Sequence, residues 1–119
     1  MAVNQWDIEF EQGAEFQSAV TISTWPASYP ALATATEWRL SAAQSGQLAF
    51  LTASSIGASP MITLNGAKTV GTIKVPAATT LLMPLGSAKY DLDIHFPGSV
   101  VKRIISLGNA TVVEYAGAV

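Results

Sequence analysis

The chain has 119 residues, of which 50% are hydrophobic and only 12% are charged, with a formal net charge of -2 and a pI near 5.1. This length suits one domain over residues 1–119, the apolar content excludes intrinsic disorder, and six scattered Lys and Arg residues argue against nucleic-acid binding. Because charge is the main solubilising device of an uncovered surface, so few charges predict a surface partly covered by neighbours, and we expect a homo-oligomer.

Cysteine content and apolar runs bear on where the chain can reside. There is no cysteine, which excludes disulfides and thiolate metal sites. No apolar run approaches the roughly 18 residues of a membrane-spanning helix, so we expect no membrane insertion. The first residues lack the basic and apolar regions of a secretion signal, and we therefore expect synthesis and folding in a cytoplasm.

The N-terminal part predicts two strands followed by a loop. Residues 4–11 alternate between apolar and acidic side chains, as expected of a strand with one buried face. A second strand is predicted over residues 15–24. Two closely spaced prolines then exclude a central strand and predict a loop that carries Trp25 and Tyr29.

The middle of the chain is rich in alanine, and its alternation favours strands over a helix. We predict a strand over residues 35–41, a bend over 41–46 and an apolar strand over 47–53. After a polar connection, residues 61–64 and 72–75 predict two further strands. The loop between them contains an Asn-Gly pair, which is typical of a turn.

The clearest strand pattern lies near the C-terminus, over residues 89–96. Pro97-Gly98-Ser99 predicts a hairpin turn and a returning strand over 100–107, and Gly108-Asn109 predicts another turn before a last strand over 110–115. The expected inward row is Tyr90, Leu92, Ile94 and Phe96, and the outward row is Asp91, Asp93 and His95. Short alternating strands with frequent turns predict an all-β antiparallel sandwich, Ig-like or jelly-roll-like, of about seven to nine strands.

The outward row of that strand is a candidate metal site. Asp91, Asp93 and His95 lie at alternate positions of one strand face, and two carboxylates with an imidazole could bind a divalent cation such as calcium. The alternative is a solvated strand face whose charge is balanced by Lys102 or Arg103 on the returning strand. We favour this alternative, because a cation would also need ligands from elsewhere.

A second acidic row lies on the first predicted strand. Asp7, Glu9 and Glu11 could face a cation or a basic partner. We favour an edge strand that like charges protect against pairing with another chain.

The sequence offers few candidates for catalytic residues or ligand-binding aromatics. The single histidine, His95, has no nucleophile at a recognisable spacing, and glycine-rich phosphate loops are absent, so we expect neither an enzyme nor a cofactor. Trp38 is expected in the core. Trp25 and Tyr29 lie beside prolines in a loop, where aromatic rings could contact a protein partner or a sugar.

The motif pieces 11–13, 90–94, 96–99, 101–105 and 108–113 together resemble a family of small β-sandwich modules of tailed bacteriophages and prophages. That family pairs an early glycine turn with a late Tyr-Asp-Leu strand, a Pro-Gly hairpin and a returning strand. Residues 36–40 match its amphipathic third strand more loosely. The resemblance is specific in the last third of the chain.

The resemblance implies a non-enzymatic structural component of a virion, placed in the tail, baseplate or neck or at a fibre attachment. It implies other virion structural proteins as partners, and it supplies no catalytic residues. The expected location is then the virion, after synthesis in the host cytoplasm. Two alternatives stay open, a capsid decoration or cement protein and a β-sandwich that binds a glycan or a receptor.

Overall fold

Two β-sheets form the molecule, as seen in a computed structural model that describes residues 7–114. This confirms the predicted all-β sandwich class. Within the described residues, helical structure is limited to a single 3₁₀ turn at Leu32–Thr34 and a four-residue helix, α1 (Ala77–Thr80). The strands are β1 (Ile8–Glu11), β2 (Phe16–Thr21), β3 (Glu37–Ala43), β4 (Ala49–Ser54), β5 (Ile62–Leu64), β6 (Val70–Val75), β7 (Gly86–Phe96) and β8 (Val100–Val113).

The larger sheet has the strand order β1-β8-β7-β3-β4, and the smaller has the order β2-β6-β5. Strand neighbours are antiparallel except β1 and β8, which run parallel with Ile8 opposite Ala110. The antiparallel sandwich predicted from the sequence therefore contains one parallel pair. The reason is that β1 and β8 lie at opposite ends of the chain, so no hairpin sets their relative direction.

The inward row of β7 was predicted correctly. Tyr90, Leu92, Ile94 and Phe96 are between 0% and 3% exposed. These four residues belong to one core cluster with residues of both sheets. Within it, the ring centres of Phe10 on β1 and Phe16 on β2 lie 4.7 Å apart. Trp38 is fully buried, as expected, and its indole N–H finds no acceptor among the described residues.

The last strand differs from the expectation, because Gly108 and Asn109 do not form a turn. β8 runs without interruption from Val100 to Val113. A Cβ atom at Gly108 would overlap the ring of Tyr90, which lies over this glycine from the neighbouring strand. The glycine therefore accommodates an aromatic ring inside the sheet, a role that turn propensity does not reveal.

Register shifts in β8 absorb the extra residues of this long strand. The pairing of β7 with β8 shifts on both sides of Leu92, and Ile104 and Ile105 are consequently both buried although they are adjacent. Leu107 takes a positive φ of 54°, and its backbone N–H donates to Asp91. Two register shifts between Arg103 and Gly108 thus connect the two halves of one strand, and the chain passes the expected turn position without ending the strand.

Several predicted boundaries shift by a few residues. β3 continues to Ala43, so the expected bend at 41–46 begins only after it, and β4 starts at Ala49 and not at 47. β2 ends at Thr21, where the expected strand continued to 24. The parts of the first and last predicted strands that fall on residues 4–6 and 115 lie outside the described residues. No described helix has the length and apolar character needed to cross a bilayer.

Candidate functional site

The outward row of β7 is paired with a guanidinium on the neighbouring strand. Arg103 donates two hydrogen bonds to the Asp93 carboxylate, at 2.8 Å and 3.1 Å, and its other terminal nitrogen lies 3.7 Å from Asp91. Asp91 also accepts the backbone N–H of Leu107 at 2.9 Å. The hydrogen bond with Asp93 raises the pKa of Arg103 above its ordinary value. Arg103 is therefore the counter-charge that the sequence suggested.

This geometry bears on the candidate metal ligands Asp91, Asp93 and His95. Their two carboxylates converge on Arg103, whose positive charge would repel a divalent cation at that point. Within residues 7–114, His, Asp and Glu side chains form no group of three or more placed to hold a metal ion. The row acts as one side of a cross-strand charge network on the outer face of the larger sheet.

A buried carboxylate beside this network was missed from the sequence. Glu37 is only 7% exposed, although it lies on the outer face, opposite His95 in the β3–β7 register. It accepts two hydrogen bonds from Arg39 and one from the Ser54 hydroxyl at 2.6 Å. Burial acts to raise the pKa of Glu37, but these hydrogen bonds and the charges of Arg39 and His95 outweigh it, so that the pKa lies below its ordinary value.

Trp25 and Tyr29 lie together in the predicted loop, but much of their surface is used within the chain. The Trp25 indole N–H donates to the carbonyl of Pro30 at 2.8 Å, and its ring lies 5.2 Å from Tyr29 and 6.0 Å from Phe96. The ammonium of Lys102 lies 4.4 Å from the centre of the Tyr29 ring. The loop thus covers one end of the larger sheet's inner face. Partner contact through the remaining exposed surface of the two rings stays a prediction.

The opposite end of the sandwich carries an exposed apolar surface, here called the apolar end. Its members come from the β3–β4 turn and from the segment after α1, and their exposed fractions range from 46% to 93%. Four leucines define it: Leu48, Leu81, Leu82 and Leu85. Most other exposed positions of the chain are small or polar, and exposed apolar groups of this kind often mark sites of protein–protein contact.

Hydrogen bonds fix the segment that carries three of these leucines. The Gln12 side-chain amide donates to the carbonyl of Met83 at 2.8 Å, and the Gln44 amide donates to the carbonyl of Leu85 at 2.9 Å. The buried hydroxyl of Thr80 donates to the carbonyl of Ala14 at 2.8 Å. Because the β1–β2 turn and the β3–β4 turn both anchor the segment, the leucines face outward from a defined backbone.

A groove of about 360 Å³ lies within the apolar end. Apolar and amide side chains line it, and none of them is charged. The lining residues are Gln44, Gln47, Leu48, Phe50 and Pro84. The absence of charged side chains is a feature that this groove shares with the buried centres of protein–protein contacts.

A signal for the apolar end is present in the sequence, in the local distribution of charge. No Asp, Glu, Lys, Arg or His occurs between Arg39 and Lys68, or between Lys74 and Lys89. These two stretches supply the four leucines. The low overall charge suggested a covered surface, but locating it requires knowing that the two stretches meet at one end of the fold.

The outer strands of the larger sheet differ in charge. β1, at one edge, carries Glu9 and Glu11, which agrees with the predicted charge-protected edge strand. β4, at the other edge, has the sequence AFLTAS and carries neither a charge nor a proline. Its flanking residues Leu48 and Ile56 are 93% and 56% exposed. The β4 edge therefore lacks the features that usually prevent pairing with another strand.

Comparison with known proteins adds no family to these observations. A scan of protein-family models found no match to this chain, and a search of curated proteins found none either. The resemblance to phage modules therefore stays a prediction from the sequence.

Proposed function

We propose that this chain is a non-enzymatic structural component of a tailed-phage virion that acts through protein–protein assembly. The observation that carries the proposal is the apolar end, where Leu48, Leu81, Leu82 and Leu85 are exposed on two stretches of the chain that contain no charged residue. Its partners are other copies of the chain and other virion structural proteins. Its place is the tail, the baseplate, the neck or a fibre attachment.

The energetics of the apolar end favour a covered surface. Burying a leucine side chain fully stabilises a contact by about 1.5–3 kcal/mol, so a group of four is a large driving force. The surrounding amides and small residues have a low desolvation cost compared with charged groups. Contact with a neighbouring protein thus offers a gain that a solvated monomer does not have.

The resemblance at the C-terminus supports the virion as the setting. Its most specific pieces, residues 90–94 and 96–99, form most of β7 and the hairpin turn that leads into β8. These two strands make up the centre of the larger sheet. A capsid decoration protein would use the same surface chemistry, and it is the alternative that the experiment below separates.

The test is the presence of the chain in purified particles. Particles from the strain that encodes the chain are separated into complete virions, capsids and tails, and each fraction is analysed by quantitative mass spectrometry. We expect a fixed copy number per virion, in the tail fraction. A fixed copy number confined to capsids would instead indicate a decoration protein, and absence from all particles would contradict the proposed function.

Matched variants connect this result to the apolar end. The double variant Leu81→Glu/Leu82→Glu adds charge to two exposed positions of the end, and we expect it to fold but to be lost from particles. Val101→Glu adds a charge at a position of β8 that is 45% exposed and lies opposite His95, and we expect it to be retained. Equal retention of both variants would show that the apolar end is not the contact surface.

A further inference from the structure

The β4 edge has backbone groups that lack a strand partner within the described chain. The Ser55 N–H donates to the carbonyl of Trp38 at 3.0 Å. This bond shows which residue pairs of the β3–β4 ladder are hydrogen-bonded. Because hydrogen-bonded and non-hydrogen-bonded pairs alternate in an antiparallel ladder, Thr52 and Ser54 direct their N–H and C=O groups away from β3. Among the described strands, β4 has β3 as its single neighbour. The edge can therefore accept another strand.

We propose that β4 pairs antiparallel with β4 of a second copy of this chain, around a two-fold axis at Thr52. This pairing joins the larger sheet of one copy to the larger sheet of the other. The pairing deepens the proposed assembly function and rests on it, since it names one contact through which the copies associate. Thr52 is exposed, and its outward backbone groups allow the two Thr52 residues to exchange both hydrogen bonds.

The sequence around Thr52 favours a second copy as the occupant. In a two-fold antiparallel pair, residues equally far before and after the centre face each other. The register therefore places Leu48 of one copy, which precedes β4, near Ile56 of the other, which follows β4. These two residues are the exposed apolar side chains that flank β4. Phe50, which lies at the irregularity of the β3–β4 pairing, comes opposite Ser54. The register thus brings exposed apolar side chains near each other at both ends of the shared ladder.

Charge also permits this contact. A two-fold axis brings identical surfaces together, so any charge near the axis meets a like charge. The chain carries no charged residue between Arg39 and Lys68, which includes β4 and both flanks. On β1, by contrast, Glu9 and Glu11 would face like charges. Of the two outer strands of the larger sheet, β4 is the one suited to pairing with itself.

The edge strand β2 of the smaller sheet provides the internal comparison. It is also six residues long and uncharged. Phe16 and Val20 of β2 pack against the core, as Phe50 of β4 also does. No large exposed apolar residue of the described chain flanks β2, however, and the ion pair of Glu15 with Lys74 lies beside it. β2 thus lacks the exposed apolar flanks that β4 has.

Cysteine cross-linking tests the pairing, since the natural chain has no cysteine. Two Thr52 residues facing each other in a hydrogen-bonded pair have Cα atoms about 5.5 Å apart, which suits a disulfide. We expect Thr52→Cys to form a covalent dimer rapidly under mild oxidation. Two exposed positions serve as controls, Ala49→Cys on β4 and Ala19→Cys on β2. In the proposed register the two Ala49 positions are roughly 20 Å apart, so this variant should remain uncrosslinked, as should Ala19→Cys.

Thr52→Cys dimerising at least tenfold faster than both controls would support the proposal. Equal rates for all three variants, or faster cross-linking of Ala49→Cys, would overturn it. If the edge fails this test while the wild-type chain is found in virions, the pairing is wrong and the proposed function stands. If Thr52→Cys cross-links while the chain is absent from particles, the pairing is supported and the virion role fails.

Discussion

The carboxylate of Glu37 shows how one residue can be buried on the outer face of a sheet. Arg39 lies two residues further along the same strand, and Ser54 is on the adjacent strand, so both reach the carboxylate without rearrangement. Each hydrogen bond to the ionised form favours ionisation. The lowered pKa of Glu37 therefore couples folding to its deprotonation.

Glu37 should make the folded state less stable in acid. The pKa of Glu37 is lower in the folded chain than in the unfolded chain. Its contribution to the stability of the fold is therefore present above the pKa of the unfolded chain, about 4.3, and is lost as the pH falls through the pKa of the folded chain. The free energy of unfolding, measured by urea denaturation between pH 3 and pH 7, should fall less steeply with decreasing pH for Glu37→Gln than for wild type. Ser54→Ala, which removes one donor, should show an intermediate slope. Identical slopes for wild type and Glu37→Gln would contradict this assignment.

The packing of the two sheets against each other depends on a close contact between an aromatic ring and a glycine. Trp38 on β3 packs against Gly71 on β6, in the opposite sheet. A Cβ atom at Gly71 would lie 2.6 Å from two carbons of the Trp38 ring and 3.4 Å from Ile62. The spacing of the two sheets at this point therefore requires a residue without a side chain.

Gly71→Ala should destabilise the fold by forcing this contact apart. Overpacking a close-packed interior costs about 1–3 kcal/mol, and we expect a loss of that size in the free energy of unfolding, measured by urea denaturation. Gly66→Ala is the control, because a Cβ there meets nothing within 4 Å, and its effect should be close to zero. A loss at Gly71 no larger than at Gly66 would show that the sheets can adjust.

Strand β7 was predictable, and the course of β8 was not. Alternation over 89–96 is a local signal, and a strand buried on one face must show it. In β8 the bulges near Leu107 shift the alternation, and Gly108 is required by the ring of Tyr90 on another strand. A glycine that accommodates a distant side chain has the same appearance in sequence as a glycine that turns the chain.

At the scale of the whole molecule, the apolar end is a product of topology. Leu48 and the leucines at positions 81, 82 and 85 are far apart in sequence, and the β3–β4 turn and the segment after α1 bring them to one end. Composition predicted a covered surface but gave no location for it. The outward acidic row of β7 was located from the sequence, whereas the burial of Glu37 depended on the β3–β4 and β3–β7 registers.

The mass of the purified chain in solution tests most directly whether it is an assembling module. Size-exclusion chromatography with light scattering, over a range of protein concentrations, measures this mass without knowledge of any partner. We expect a species of at least twice the 12.4 kDa chain mass, whose fraction rises with concentration. A mass of 12.4 kDa at every attainable concentration would contradict it.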